Sequence, residues 1–549
     1  MARFGSGSAQ VLMHRHPRIL SFAAFTASFA ALAAFVFWGT WSPDVAPVMP
    51  DCPTVHPSRW LEALWRNWLE TGRFVPDDAK VLLGGPYVWQ ELQYAFALYC
   101  AALGLAYYCR GRGLPRLASY GAGLLLAFSG YWCTLFSAGH LGWFRWMTYG
   151  VFAFGLADRA VRKGKRRHWL LLGACTAWAS FYQPDLWLLF ALLTGLYLAW
   201  CCVRERRLPW KGALLALAAF ALIGAPSFCH AIGSDLATRD RQVSEGQKGG
   251  GAASDASEHR WTFATNWSLP PSEIAEFAVP RLNGDTSCPL TLTLGARDGR
   301  GVRPYTGALG RPKGAPAGNY RQHSLYVGFV TCLLALAGLV FGRRTGEVRF
   351  LAAAAVVSCL FSFGRYCEPV YRLVYALPFG DYLRAPVKWH HLTEFCLCAL
   401  AAHGLGGLLS LPRMNGRLGL WVAGAVVLVG AVDLARIDRL YCAPVDVRRA
   451  RQMDASMQMS VLRRGDFANP QVADMVKRGR IVSLANYLGN PDLFLVEILT
   501  PNGIARPPLP PLSPAAWLSL LSLAATAGLA FLVVREVASD SGAQKGKPK

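Results

Sequence analysis

The sequence WSPDVAPVMPDCPTVHPSRWLEALWRNWLETGRFVPDDAKVLLGGPYVWQELQY, residues 41–94, follows the first long apolar run of the chain and leads into the second. Over Ser58–Glu70, tryptophans and leucines recur three and four residues apart, and the Arg and Glu residues fall on the opposite face. Ser58 can cap the start of such a helix, and Gly72 can end it. A tryptophan-rich helix beside a membrane span is typical of a helix in the membrane interface. The pattern therefore predicts a helix parallel to the membrane surface, just outside the first span.

The same stretch contributes four acids to a chain with few charges: Asp44, Asp51, Asp77 and Asp78. We interpret it as the lid, and the source of carboxylates, for a site at the outer membrane surface. The alternative is a folded outer loop whose acids are merely solvated, as exposed acids usually are.

The composition indicates a membrane protein. Of 549 residues, 53% are hydrophobic, and the mean hydropathy is +0.27. Apolar runs of the length that crosses a bilayer, about 20 residues, recur along the chain. The net charge of +23 does not indicate nucleic acid, because Lys and Arg cluster in short loops between apolar runs and no nucleic-acid-binding motif accompanies them. This placement is the pattern of basic cytoplasmic loops, which also contact anionic lipid.

The apolar runs predict an all-α protein with twelve transmembrane helices and both ends of the chain in the cytoplasm. The predicted spans are 19–40, 88–108, 117–136, 146–156, 169–181, 186–202, 213–229, 325–341, 350–363, 389–409, 418–431 and 515–534. With this count every short inner loop is basic and every long loop lies outside. One miscounted span would reverse that bias in the rest of the chain.

This topology divides the chain into cytoplasmic ends, a membrane core and a small extracytoplasmic segment. The ends are 1–17 and 535–549, the core is 18–434 with outer loops at 41–87, 230–323 and 364–388, and the extracytoplasmic segment is 435–514, before the last span at 515–534. In the second outer loop, residues 261–282 are predicted to be ordered, with Ser272 as the N-cap of a short helix. In the extracytoplasmic segment, residues 480–484 are a candidate strand of a small cap.

Most of the 15 cysteines lie in apolar runs, where Cys behaves as a small hydrophobe. Four fall in predicted outer loops: Cys52, Cys288, Cys367 and Cys442. They allow two disulfides in three possible pairings.

Several familiar reaction motifs are missing from the sequence. It has no GxSxG nucleophile motif, no P-loop, no GxGxxG turn, no CxxC pair and no HExxH helix. His390 and His391 are adjacent, so they cannot both face one metal from a helix. A soluble nucleotide-sugar site, an ATP site, a serine hydrolase and a metal centre are therefore not indicated.

Charged residues at membrane depth are costly and tend to be functional. Those near the outer ends of the predicted spans are Asp44, Asp51, Asp77, Asp78, Glu91, His140, Arg145, Asp185, Arg384, Lys388, His390, His391 and Glu394. The inner ends carry mostly Lys and Arg, and we expect no competing acid–base pair there. A site built from acids and bases should therefore face outward. The alternative is that each Arg, Lys or His anchors its helix in the interface.

A series of short motifs, in order along the chain, resembles the YfhO-like branch of the polytopic GT-C glycosyltransferase superfamily. They are PDDAKVLLGGPYVWQELQY at 76–94, SAGH at 137–140, YQPD at 182–185, LPP at 269–271, AVP at 278–280, YTG at 305–307, LYVG at 325–328, LP at 377–378 and LRAP at 383–386. The resemblance covers residues 18–440. It depends on the order and the topological placement of the motifs.

The resemblance implies a transferase of the bacterial inner membrane, with no metal or other cofactor. It would move a sugar from a polyprenyl-phosphate donor to an extracytoplasmic glycan, lipid or protein. In such enzymes an Asp of the first outer loop is the catalytic base; Asp51 fits best and Asp44 is the alternative. Arg384 and Lys388 match the cations that would stabilise the leaving phosphate. The other residues implied for the donor site are His140, Arg145, Gln183, Asp185, Asp77, Asp78 and Glu91.

Two other classes of protein share the predicted layout: a flippase or other transporter of lipid-linked sugars, and a non-catalytic membrane scaffold of the same fold. Twelve spans with both ends inside are common among transporters. The two halves of this sequence show no internal repeat, however, and its ionisable residues gather toward one surface. The mid-span exceptions are Glu394 and His403, both in the tenth predicted span.

Overall fold

The fold is known from a computed structural model. It describes residues 17–37, 45–47, 68–69, 86–135, 146–181, 184–207, 209–230, 261–262, 264–284, 323–377, 380, 383–414, 416–442, 444–446, 482–483, 498–500, 503–505 and 511–545.

The described chain is mostly α-helical. Its helices are α1 (Pro17–Val36), α2 (Pro86–Gly111), α3 (Arg116–Ala127), α4 (Gly130–Thr134), α5 (Met147–Lys163), α6 (Arg166–Ser180), α7 (Pro184–Arg204), α8 (Trp210–His230), α9 (Phe329–Gly342), α10 (Gly346–Ser362), α11 (Glu368–Tyr375), α12 (His390–Leu409), α13 (Arg417–Tyr441) and α14 (Pro514–Lys545). Four 3-10 helices accompany them: Pro271–Phe277, Gly364–Cys367, Pro386–Trp389 and Pro412–Met414.

Short strands add two small antiparallel sheets to the helical fold. The strands are β1 (Val45–Pro47), β2 (Pro444–Asp446), β3 (Val482–Ser483), β4 (Ile498–Thr500) and β5 (Gly503–Ala505). β1 pairs with β2, and β3, β4 and β5 form the second sheet in that order. The candidate strand predicted at 480–484 contains β3. The first sheet joins the start of the first predicted outer loop to the chain just after α13.

Seven of the described helices are long and apolar enough to cross a membrane: α1, α2, α7, α8, α12, α13 and α14. α10 and the helical segment 364–375 pass the same test together, but the chain bends by 109° between them. Each of the twelve predicted spans overlaps a helix, and those outside the seven are shorter or broken, as at α3 and α4. The protein is thus a multi-pass helical membrane protein, and twelve crossings stay a prediction.

Several helices continue past the predicted ends of their spans, and in α5 and α13 the terminal charges have partners within the fold. α5 continues to Lys163, where Arg162 bonds Asp158 one turn earlier, and Gly164 ends it with a left-handed φ of 62°. α13 continues to Tyr441, ten residues beyond the predicted end of its span. The boundary predicted between the core and the extracytoplasmic segment therefore falls inside α13.

The centre of the bundle includes a close crossing of α9 and α12 at two glycines. A Cβ atom on Gly404 would overlap the carbonyl oxygen of Leu334, and one on Gly338 would overlap that of Leu400. Small residues let helix backbones approach in this way, as is common between membrane helices. The crossing fixes where α12 lies, and α12 begins with several of the predicted site residues.

The polar contacts define two ends of the bundle. α7 begins next to Lys388 and ends next to Glu347, and its 21 residues span about 30 Å at 1.5 Å per residue. We call these the Lys388 end and the Asp158 end, since Arg112 pairs with both Glu347 and the buried Asp158 at the second. The segment 264–284 packs on the Lys388 end: Leu269 N donates to Ser362 O (2.8 Å), and Val327 N donates to Phe277 O (3.0 Å).

The prediction of Ser272 as a helix cap is wrong. The 3-10 helix begins at Pro271, after Pro270, so Ser272 lies inside it without capping it. Proline suits the first helical position because its missing N–H would be unsatisfied there. Further along the segment, burial raises the pKa of Glu276, although the N–H of Asn283 donates to its Oε1 at 2.8 Å and opposes that shift.

Candidate functional site

The central feature of the Lys388 end is a buried ion pair between Asp185 and Lys388. Asp185 lies in the first turn of α7, where its Oδ1 accepts a hydrogen bond from Leu186 N at 3.0 Å. Lys388 lies in the 3-10 helix that leads into α12, and its Nζ donates to Asp185 Oδ2. Both side chains are 3% exposed. A charge this deeply buried is tolerated when it is paired, so each residue of the pair stabilises the other.

Imidazole rings surround Tyr131, close to this ion pair. The ring centroid of Tyr131 lies 4.0 Å from that of His323, 4.2 Å from His391 and 5.7 Å from His390, each in edge-to-face geometry. All four residues are buried. α4 contributes the tyrosine, the chain before α9 contributes His323, and the first turn of α12 contributes the other two.

Glu394 connects this cluster to the backbone of α4. Its Oε1 lies 3.3 Å from His390 Nε2, one helical turn away, and accepts a hydrogen bond from Tyr131 N at 3.2 Å. Both side chains of the His390–Glu394 pair are completely buried. Ionisable groups at this depth in a membrane helix are costly, and they are a sign of function more than of stability.

His391 is a deeply buried polar side chain of this group. In the part of the chain that the structure describes, neither ring nitrogen has a hydrogen-bond partner, although the residue is 1% exposed. Trp132 and Trp146 pack edge-on to its ring at centroid distances of 5.7 and 6.2 Å. An imidazole enclosed by aromatic rings, next to an ion pair, would be an unusual choice for packing alone.

Arg384 lies at the rim of the same end and is half-buried. Its guanidinium carbon is 5.5 Å from the centroid of the Trp267 indole. Two backbone hydrogen bonds join the chains that carry these residues: Ala385 N donates to Ala264 O, and Val387 N donates to Trp267 O, each at 3.2 Å. Arg384, the residue predicted to bind the donor phosphate, therefore lies one turn before Lys388.

Most of the predicted acids and sugar-binding residues lie outside the described residues: Asp44, Asp51, Asp77, Asp78, His140, Arg145 and Gln183. Glu91 belongs to α2, but its side chain is not among those described. The pairing of β1 with β2 brings the chain directly after Asp44 alongside the chain after α13. β1, which belongs to the predicted first outer loop, thus lies at the Lys388 end.

The predicted amphipathic helix at 58–70 is described at two residues, which are helical. Trp68 and Leu69 are buried against the start of α14, where Trp68 Nε1 donates to Ser519 Oγ at 2.9 Å and Ser513 N donates to Leu69 O at 3.0 Å. The helix prediction places the tryptophan face toward lipid or the neighbouring spans, and these two residues pack on a neighbouring span. The rest of that prediction lies outside the described residues.

The cysteines predicted for outer disulfides do not form one where they are described. Cys367 and Cys442 are free thiols, while Cys52 and Cys288 lie outside the described ranges. Cys442 is buried at the end of α13, because that helix is longer than predicted. Cys133 is also a free thiol and lies close to Asp438.

The expectation that the inner ends lack an acid–base pair is wrong. At the Asp158 end, Arg112 Nη1 lies 2.9 Å from Oδ1 of the fully buried Asp158 carboxylate and forms a salt bridge with it. The same carboxylate also pairs with Arg162. Tyr197 OH donates to the same carboxylate at 3.0 Å. Glu347 pairs with Arg112 and Arg204 and extends the network to α10. The expectation was wrong because Lys and Arg greatly outnumber these two acids in the corresponding parts of the sequence.

Three buried residues of the Lys388 end were not predicted: Tyr131, His323 and Asp438. Asp438 has a recognisable signal, because it follows Val427, Ala431 and Leu434 at helical spacing on the buried stripe of α13. An acid on an apolar stripe is more informative than one in a loop. Tyr131 and His323 have no such pattern around them.

The fold and the composition together define the class of multi-pass helical membrane proteins. No family profile, no curated protein and no solved structure matches the chain. The resemblance to YfhO-like proteins therefore stays a prediction.

Proposed function

We propose that the protein is an integral membrane glycosyltransferase, which moves a sugar from a polyprenyl-phosphate donor to an extracytoplasmic glycan, lipid or protein. The supporting observation is the grouping of Asp185, Arg384 and Lys388 at one end of the bundle. Some 200 residues separate the first from the other two in sequence, and Lys388 bonds Asp185 directly. The chain that follows Asp44 enters at this same end.

The proposed reaction is a displacement at the anomeric carbon of the donor sugar. Asp51, or else Asp44, accepts the proton of an acceptor hydroxyl as that oxygen bonds to the anomeric carbon. The bond between the anomeric carbon and the donor phosphate oxygen breaks, and polyprenyl phosphate leaves with the electron pair. Arg384 stabilises the negative charge that develops on the phosphate, for which a guanidinium offers two parallel N–H donors.

The geometry changes the role proposed for Lys388 and Asp185. Because each neutralises the other in a buried pair, we assign them to positioning instead of direct phosphate binding. They join the start of α7 to the start of α12, one turn after Arg384. The His390–Glu394 pair then fixes the first turn of α12 against α4.

A transporter of lipid-linked sugars is the second candidate, and the Asp158 end supports it. A transport path needs polar groups at both ends of the bundle, and the network of Asp158, Arg112 and Glu347 supplies them opposite Lys388. A transferase needs polar chemistry at one end. In experimental terms, the two candidates differ in whether the sugar is transferred to an acceptor or only moved across the bilayer.

The test is reconstitution of the purified protein into liposomes with isotopically labelled polyprenyl-phosphate sugars and an extract of cell-envelope acceptors. We expect labelled acceptor by mass spectrometry with the wild type and none with Asp51→Asn, which keeps the size of the side chain but removes the base. Arg384→Ala should lower both donor binding and turnover.

Retention of wild-type transfer by Asp51→Asn and Asp44→Asn, alone and together, would refute the assignment of the base. Movement of labelled lipid between leaflets without any labelled acceptor would favour the transporter.

A further inference from the structure

We propose that Trp267 and Arg384 form a two-part binding element for a glycosyl phosphate, in which the indole stacks on the sugar ring and the guanidinium binds the phosphate. The inference rests on the proposed glycosyltransferase function and adds Trp267 as the residue that recognises the sugar. This role of Trp267 was not apparent from the sequence, because the residue lies in a long polar loop.

The two side chains are placed as such an element requires. The Arg384 guanidinium carbon lies 5.5 Å from the centroid of the Trp267 ring, within the range of a cation–π contact. Both residues are half-buried, so each still has surface available for a ligand. Among the described residues, Trp267 makes no contact with another aromatic ring.

The backbone on both sides of this pair adopts a conformation that is rare for its residue types. Trp267 has a φ of 58° and Ala385, next to Arg384, has a φ of 62°. A left-handed conformation is sterically unfavourable for a residue with a bulky side chain. Such backbone persists where the surroundings enforce it, and it concentrates at ligand-binding sites.

Arg365 provides that enforcement for the turn around Trp267. Its Nη2 donates to Asn266 Oδ1 at 2.8 Å, and its backbone N donates to Ser268 Oγ at 3.1 Å. Val387 N donates to Trp267 O at 3.2 Å from the other chain. The backbone that carries the indole and the guanidinium is therefore held in place before a ligand arrives, and this lowers the entropic cost of binding.

A second Arg–Trp pair on the same two segments provides an internal comparison. The Arg372 guanidinium lies 4.7 Å from the centroid of Trp261. Trp261 also packs edge-on to Tyr375 at 5.2 Å, and Arg372 Nε donates to Glu368 Oε1 at 2.8 Å. Tyr375 thus covers part of the Trp261 ring, so we assign this pair to packing.

The chemistry of the pair matches both halves of a glycosyl phosphate. The axial C–H bonds of a pyranose present a weakly positive face that packs on an aromatic ring. A guanidinium forms two parallel hydrogen bonds to phosphate oxygens, which a lysine cannot do. A ligand with the phosphate alone should use only Arg384, and a glycosyl phosphate should use both.

The test measures binding of two kinds of probe to the full-length protein in lipid nanodiscs: decyl phosphate, and decyl-phosphate esters of glucose, galactose, mannose and N-acetylglucosamine. We expect at least one sugar ester to bind more tightly than decyl phosphate. Trp267→Ala should weaken that ester about tenfold and decyl phosphate less than about twofold, the difference made by one aromatic contact. Arg384→Gln should weaken both probes.

Three further variants keep this result interpretable. Trp267→Phe retains an aromatic face and should bind the ester nearly as well as the wild type, even if Trp267→Ala fails to fold. Trp261→Phe and Arg372→Gln, the comparison pair, should leave both probes unchanged.

The inference would be overturned if no sugar ester bound more tightly than decyl phosphate. It would also be overturned if loss of the indole weakened both probes equally, because Trp267 would then only support Arg384. These failures are distinct from failure of the proposed function. Selective binding of the ester without transfer would contradict the transferase, whereas wild-type kcat and KM in Trp267→Ala would contradict only the role of Trp267.

Discussion

Replacing Lys388 by methionine removes one charge from an ion pair that lies almost entirely out of contact with solvent. Both side chains of the Asp185–Lys388 pair are 3% exposed. At a normal separation of about 3 Å and an effective dielectric constant of about 20, the attraction between two unit charges is about 5.5 kcal/mol. Part of it is offset because lysine no longer has to be desolvated. The remaining Asp185 carboxylate is buried without its cation, so we expect Lys388→Met to lower the free energy of unfolding by about 3–5 kcal/mol.

The double variant separates the ion pair from the packing. Asp185→Asn together with Lys388→Met removes both charges of this pair, and the asparagine oxygen can still accept the N–H of Leu186. Since buried pairs can often be replaced by neutral groups at little cost, we expect the double variant to lie within about 1–2 kcal/mol of the wild type. The two single losses should thus be far from additive.

The assay is reversible unfolding in mixed micelles of dodecyl maltoside and SDS, followed by tryptophan fluorescence. The matched control is the Glu368–Arg372 pair, which is exposed by 49% and 60%. Its coupling in the same double-mutant cycle should be no more than about 0.5 kcal/mol. A loss below about 1 kcal/mol for Lys388→Met, or additive losses in the buried cycle, would refute the reasoning.

Two other predictions concern the centre of the bundle and its opposite end. Gly404→Ala should destabilise the protein by about 1–3 kcal/mol, because the new methyl group meets the carbonyl oxygen of Leu334. The control is Gly424→Ala, whose added Cβ has nothing within 4 Å; it should be neutral or stabilising by up to about 1 kcal/mol. Equal effects of the two substitutions on stability would contradict the close crossing of α9 and α12. Tyr197→Phe should lower the free energy of unfolding by about 1.5–3 kcal/mol in the same assay, since it deletes a 3.0 Å hydrogen bond to the buried Asp158 carboxylate. An unchanged free energy of unfolding would contradict this hydrogen bond.

The sequence predicts where the helices lie, because apolar runs are long and their signal is strong. It does less well at their ends. α5 and α13 continue through charged residues that a hydropathy reading treats as loop, since those charges pair with each other, as Arg162 does with Asp158 and Arg436 with Asp433. Such pairing is not visible in local hydrophobicity.

The candidate site could be predicted in its residue types and its end of the bundle, but not in its pairings. Asp185 and Lys388 were each expected near the donor, yet no local pattern relates two residues so far apart in sequence. The surroundings of His391 depend on Tyr131, Trp132 and Trp146, which come from two other segments. Tertiary packing decides these contacts, and in the sequence each aromatic residue looks like ordinary membrane core.

The antiparallel pairing of β1 with β2 has a consequence for the order in which the protein is made. Val45 and its partner Asp446 are about 400 residues apart. At a synthesis rate of about 5–20 residues per second, the first strand waits about 20–80 s for its partner to leave the ribosome. Throughout that interval the chain beside Asp44 has an unpaired strand edge. Assembly of this sheet is therefore among the last steps of biogenesis, and a ribosome stalled before α13 leaves a nascent chain that lacks it.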